Sequence, residues 1–266
     1  MSTELSSQAA AANQALQEPA PKVDLPTSLK VDLFRGVFVP ALDEWYTTAT
    51  VRELNGEDEE ALSAFDVQKN VTYSEYMTHL LKRGVVSIGN IDINNKAEII
   101  DDLIVGDRDA LFLGVLKATY GRYREFQVSC RECEGENDIA IDLDKDFKSK
   151  EITVDLHKPI DVTLKNNTTI QLRYPTGGDS QVAGKRGKTT AEQNTIMLSR
   201  CALLNGKTTA EKEAWARGLS LADRNKLVKA LFAAQPGPRM EEVETQCSHC
   251  NAKIVLALDW VALLFG

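Results

Sequence analysis

Val128-Ser129-Cys130-Arg131-Glu132-Cys133 and Thr245-Gln246-Cys247-Ser248-His249-Cys250 are the two stretches whose reading decides the fold. Two cysteines separated by two residues can turn both sulfurs onto one ion from a tight knuckle. A closed tetrahedral zinc site has four ligands, so one knuckle supplies half of it and requires a second. Each knuckle here follows a strand-like run (Glu125–Ser129, Glu241–Thr245) and precedes another (from Asn137 and from Ala252), which is the arrangement of a zinc ribbon. The expected site is one structural zinc per chain on Cys130, Cys133, Cys247 and Cys250, with iron the other metal that four thiolates suit. Four thiolates leave no position open for water, so a catalytic metal is not expected. A redox pair would open a helix in a βαβ unit, and neither pair does. His249 lies between its two cysteines and should point off the knuckle.

Residues 134–246 separate the knuckles, far more than a compact ribbon contains. Much of the fold is therefore inserted between the ribbon's halves, and the metal closes a long loop. Period-2 runs at Ile139/Ile141/Leu143, Ile152/Val154/Leu156, Ile160/Val162/Leu164 and Ile170/Leu172/Tyr174 predict a small antiparallel β unit. Capping boxes at Thr189–Glu192 and Thr208–Glu211, and Ser220 with Asp223, then open three helices that end at Pro236-Gly237-Pro238. Upstream, Val37–Val39 and Thr47–Val51 read as short strands, Asp58–Glu60 as acidic helix-start chemistry, and Thr72–Glu75 as a further capping box. Asp107, after Gly106, is the predicted N-cap of a helix carrying Leu111, Val115 and Leu116 and ending at Gly121. The class is α+β, with a helical body, an inserted antiparallel β unit and a zinc-ribbon-like site joining distant parts of the chain. The expected divisions are a flexible arm at 1–30, a mainly helical domain at 31–124, and half-ribbons at 125–146 and 239–266. Between the half-ribbons lie the β unit at 147–176 and a helical segment at 177–238.

The chain has 266 residues, 43% hydrophobic and 26% charged, and a net charge of −8. That acidity argues against a general nucleic-acid binder, whose affinity comes from a basic surface. The one compact basic cluster, Lys185-Arg186-Gly187-Lys188, reads as a solvated turn. No apolar run is long enough for a membrane helix, and the Ala/Ser/Gln/Pro-rich start does not read as a secretory signal. His79, His157 and His249 neighbour no nucleophile, no phosphate loop or hydrolase elbow is present, and no catalytic residue or small-molecule substrate is expected. Cys201 among Ile196, Met197, Leu203 and Leu204 reads as core, and Tyr174–Asp179 as a strand-to-helix turn. Trp260, Leu263, Leu264 and Phe265 end the chain without a polar tail. Such an end should be buried, in its own ribbon or as a contact for a partner.

Val51-Arg52-Glu53-Leu54 before an acidic helix start, Gly106-Asp107-Arg108-Asp109-Ala110-Leu111, and Ala118-Thr119-Tyr120-Gly121 ahead of Cys130-Arg131-Glu132-Cys133 form one pattern. Together they resemble the T4-type bacteriophage baseplate family, which holds hub subunits and a hub-assembly factor. The likeness covers residues 45–145 and the final knuckle. It implies a zinc-stabilised, non-enzymatic structural protein, made in the host cytoplasm and working in the virion baseplate against other tail proteins. Two other roles remain open: an assembly chaperone absent from the finished particle, and a zinc-ribbon regulator touching nucleic acid through Lys185–Lys188.

Overall fold

Alternating residues from Ser28 to Arg52 build a long hairpin, strand β1 (Ser28–Val39) against strand β2 (Glu44–Arg52), in a computed structural model. The structure describes residues 28–66, 71–147, 149, 154–238, 243–256 and 263–264. Strand β1 thus begins three residues inside the expected arm, and the rest of that arm lies outside the described residues. Strands β3 (Val85–Ile88) and β4 (Ile91–Asp92) complete an antiparallel sheet of order β1-β2-β3-β4.

Helices α1 (Gly56–Asp66), α2 (Tyr73–Gly84), the short α3 (Ile99–Asp102) and α4 (Val105–Tyr120) pack with this sheet. Their core includes Val51, Leu80, Leu81, Ile88, Leu111 and Phe112, all essentially inaccessible. Helix α4 runs through it with Leu111, Phe112, Val115 and Leu116 buried, so its apolar surface is wider than one stripe. Gly114 lets it approach the hairpin, since a Cβ there would stand 2.4 Å from the Val31 side chain.

The predicted start of α4 needs correction. Its N-cap is Ile104, which offers no side-chain cap, and Asp107 occupies the third helical position. The Asp107 carboxylate, fully buried, instead accepts the backbone N–H groups of Phe34 (2.6 Å), Arg35 (3.2 Å) and Gly36 (2.8 Å). Those residues form a bulge where the β1–β2 register slips, with Gly36 at φ +74°. The unpaired donors of the bulge therefore find their acceptor on a helix more than seventy residues away. Beside it, buried Arg108 donates to the Ile100 and Ser74 carbonyls and to Thr78 Oγ1.

A second core forms inside the inserted segment. Strands β7 (Ile160–Thr163) and β8 (Thr169–Leu172) pair as a hairpin and pack on helices α5 (Gly177–Arg186), α6 (Thr190–Cys201), α7 (Thr209–Gly218) and α8 (Leu221–Ala233). The capping boxes at Thr72, Thr189 and Thr208 form as expected, Ser220 caps α8, and Tyr174–Asp179 is the expected strand-to-helix turn, where Thr176 and Asp179 make another box. The four-run β unit divides instead between two hairpins. Ile139 and Ile141 belong to strand β6 (Glu136–Asp142), paired with β5 (Tyr123–Ser129), while Val154–His157 forms bends and turns with no partner strand among the described residues. Ile152 lies outside the described residues.

The two cores meet where α2 faces α5. Gln181 Nε2 donates to Thr78 Oγ1 and Asp101 Oδ1, both at 2.6 Å, and the Gly177 backbone lies against the Arg108 guanidinium, leaving no room for a Cβ. Two buried carboxylates fix the flanking turns. Asp58 takes Arg52 at 2.6 and 2.9 Å and Arg83 at 3.2 Å, so it is more than the helix-start charge expected of it. Asp179 takes Arg173 at 2.5 and 2.8 Å and Arg200 at 2.7 Å.

Burial alone would raise the pKa of both carboxyls, but the guanidinium and backbone hydrogen bonds hold them below the ordinary aspartate value of 3.8. Their stabilisation is full above that value and disappears as pH falls through the lower folded values. Acid unfolding followed by circular dichroism should begin below about pH 4. An Asp179→Asn variant should be less stable at neutral pH and show a weaker pH dependence in that acid window.

Candidate metal centre

Strand β5 runs into the first knuckle and β6 leaves it; strands β9 (Val243–Gln246) and β10 (Lys253–Leu256) flank the second. The knuckles repeat one another atom for atom in the backbone. Cys130 N–H donates to the Gly135 carbonyl at 2.9 Å, and Cys247 N–H to the Ala252 carbonyl at 2.8 Å. The Cys130 and Cys247 carbonyls accept from Glu134 and Asn251, each at 2.9 Å, and both of those residues lie at φ +59°. In each pair the first cysteine is buried and the second exposed.

All four sulfurs lie within 4.8 Å of one another. Cys130 Sγ stands 3.7 Å from Cys250 Sγ, and Cys133 Sγ 3.7 Å from Cys247 Sγ. A disulfide needs about 2.05 Å, so these are not bonded pairs. Sulfurs bound at about 2.3 Å to a tetrahedral ion are separated by about 3.8 Å, and these two separations match that edge length. The fit joins two chain segments more than a hundred residues apart, as the paired motifs require.

The protein's own hydrogen bonds brace the site. Asn137, 6% exposed, donates from Nδ2 to the Gly135 carbonyl (2.9 Å) and to Cys247 Sγ (3.5 Å). Its Oδ1 accepts from Ser248 N–H (2.8 Å) and Ser248 Oγ (3.0 Å). One side chain therefore ties both knuckles together. His249 Nε2 meets the Glu136 carbonyl at 2.9 Å; a carbonyl only accepts, so that nitrogen carries the proton and is not a ligand. Its ring packs on Gly135, where a Cβ would lie 2.5 Å from His249 Cδ2. Sequence reasoning did not identify Asn137, because its role depends on a knuckle far along the chain.

The thiols titrate unequally. Burial opposes the Cys247 thiolate, but the N–H groups of Cys250 and His249 and the Asn137 amide outweigh it and bring Cys247 to about 6. Cys250 goes up to about 12: the Ala252 backbone bond favours its thiolate, and the crowding of neighbouring sulfurs, Cys133 first, overrides it. Four thiolates held this close would repel one another, and a bound divalent ion would supply compensating charge. Replacing Asn137 with Ala should weaken metal affinity about 10–100-fold, measured by competition with a chromophoric chelator, while leaving four ligands in place.

The two cysteine hairpins do not form a separate lobe. Cys130, Cys247, Ile139, Ile141 and Ile254 belong to the first core, as do Leu263 and Leu264. The Leu264 carbonyl accepts from Tyr120 Oη at 2.7 Å, and the Leu263 carbonyl from Arg124 Nε at 2.9 Å. Of the apolar residues expected to be buried, in their own ribbon or against a partner, Leu263 and Leu264 lie in the chain's own core, 0% and 1% exposed. Trp260 and Phe265 lie outside the described residues. The basic cluster is also occupied in part: Lys185 pairs with Glu75, and Arg186 with Glu213 at 2.8 Å.

Residues 39–265 match the family described as T4 bacteriophage base plate protein. No curated protein and no solved structure matches the chain.

Proposed function

The chain belongs to the T4 bacteriophage base plate protein family, and from that premise we propose that it is a structural component of the tail baseplate, in its hub or tail-tip region. It acts through contacts with other tail proteins, and one structural zinc on Cys130, Cys133, Cys247 and Cys250 stabilises its fold. The observation that carries this reading is the family match together with four thiols gathered within 4.8 Å of one another. No helix among the described residues is long and apolar enough to cross a membrane.

Cys201, His79 and His157 are engaged in packing. Cys201 is buried, and burial first of all pushes its thiol up to about 12, far from a reactive thiolate. The His79 ring stacks on Phe65 at 4.4 Å and the His157 ring lies 4.3 Å from that of Trp45. The pairing of Lys185 and Arg186 with carboxylates weighs against nucleic-acid binding through that cluster.

Quantitative mass spectrometry of purified particles tests the placement. A fixed number of copies per particle is expected. Presence in assembly intermediates but absence from finished particles would replace the component with an assembly factor.

A further inference from the structure

Where the β1 bulge, the Val154–Ile160 connection and the end of β8 meet, a cavity of about 180 Å³ opens to the surface. It lies over a small apolar cluster of Ile104, Leu156 and Tyr174, separate from the two larger cores. Arg35, His157, Lys158, Arg173 and Tyr174 line it, and no carboxylate is among its lining residues. Leu156, Pro159 and Leu203 complete the wall, and in a chain of net charge −8 a lining whose polar members are all donors and cations is an exception that points to a ligand.

Two lining cations are already compensated: Arg173 by Asp179, and Lys158 by Asp155 at 3.4 Å. Arg35 is not. Its guanidinium lies 5.1 Å over the Trp45 ring, and its buried Nε has no hydrogen-bond partner among the described residues. Its backbone, by contrast, is fixed, because Asp107 holds the bulge that carries it. Tyr174, 3% exposed, makes no hydrogen bond with its phenol among the described residues, and neither does the His157 ring. A buried guanidinium nitrogen without an acceptor is costly, and an entering oxyanion would satisfy it together with the phenol.

We propose that this cavity is an oxyanion pocket that receives a carboxylate side chain from an adjoining tail protein, with Arg35 as the main ligand and Tyr174 as the second. The size suits one carboxylate and little more. Phe38, 40% exposed and 5.3 Å from Trp45, and the exposed Leu203 in the wall give the surroundings the aromatic, arginine-centred character of a protein contact. The identity of the donor rests on the reading of this chain as working through protein contacts; the pocket itself does not.

The test uses the isolated full chain and therefore stands apart from particle composition. Capped aspartate (N-acetyl, C-amide) is titrated while Trp45 fluorescence is followed, with capped asparagine as the neutral control and inorganic phosphate as the rival anion. A saturable response to capped aspartate, absent for capped asparagine and lost in Trp45→Phe, is expected. Arg35→Gln should weaken it about tenfold or more, and Arg35→Lys should recover part of it. An equal response to the neutral control, or an undiminished response in a folded Arg35→Gln chain, would overturn the pocket. Phosphate binding tighter than capped aspartate would overturn the carboxylate assignment.

Discussion

Cys130→Ser and Cys247→Ser should each abolish metal binding and lower the thermal midpoint by about 10 °C or more. Either change leaves three thiolates, which no longer close a tetrahedral shell. The loss is amplified by position. Each knuckle backs onto the main core through a buried cysteine, and Ile139, Ile141 and Ile254 on the flanking strands share that core. Loss of a bound ion would free two hairpins and loosen the packing of Leu263 and Leu264 beside them. Structural zinc contributes about 10–16 kcal/mol of apparent binding free energy in isolated fingers. Here two apolar cores persist without it, so a loss of about 4 kcal/mol or more is a conservative expectation, at about 2–4 °C per kcal/mol. Cys201→Ser is the control: it changes a buried thiol outside the site and should leave metal content intact. Calorimetry with metal analysis on the same samples checks both statements, and a Cys247→Ser chain that retains its metal would contradict them.

Asp107→Ala should be the most damaging change away from the metal, costing about 3–5 kcal/mol. The carboxylate accepts three backbone N–H groups from the bulge, and burial pushes its pKa up against their pull. Removing it leaves those donors without an acceptor inside the protein. Asp107→Asn should rescue little, because the amide presents one acceptor oxygen, and its NH₂ group would meet donors. The bulge cannot relax readily, since Gly36 at φ +74° faces the Tyr46 carbonyl, where a Cβ would lie 2.1 Å away. Urea unfolding monitored by circular dichroism gives the cost. Hydrogen exchange at Phe34 and Gly36 shows whether the loss is local, and protected amides in Asp107→Ala would contradict the assignment.

Asp107 also marks where the sequence was legible and where it was not. Capping boxes are local chemistry, three or four residues deep, and Thr72, Thr189 and Thr208 announced their helices without knowledge of the fold. The gathering of the cysteines was legible for the same reason, each motif holding two thiols within four residues. Gly106-Asp107 carries an ordinary N-cap signal, but the donors that claim the side chain belong to a strand far earlier in the chain, and no local pattern reveals them. Val154 and Leu156 alternate as a strand would, yet alternation states only which faces are apolar. Pairing needs a free neighbouring edge, and Leu156 goes to its own small cluster instead. Asn137 likewise looks like any polar strand residue until the second knuckle is placed beside it. The family pattern quoted from the sequence acquires physical content here: Arg52 holds Asp58, Asp107 holds the bulge, and Arg108 holds the α2–α3 contact.

The most direct test of the account is native mass spectrometry of the full chain, recorded before and after denaturation. The predicted spectrum shows a mass excess of one zinc per chain that disappears on unfolding. A chain that carries no metal while its four thiols stay free, or pairs them as disulfides, would contradict the clamp.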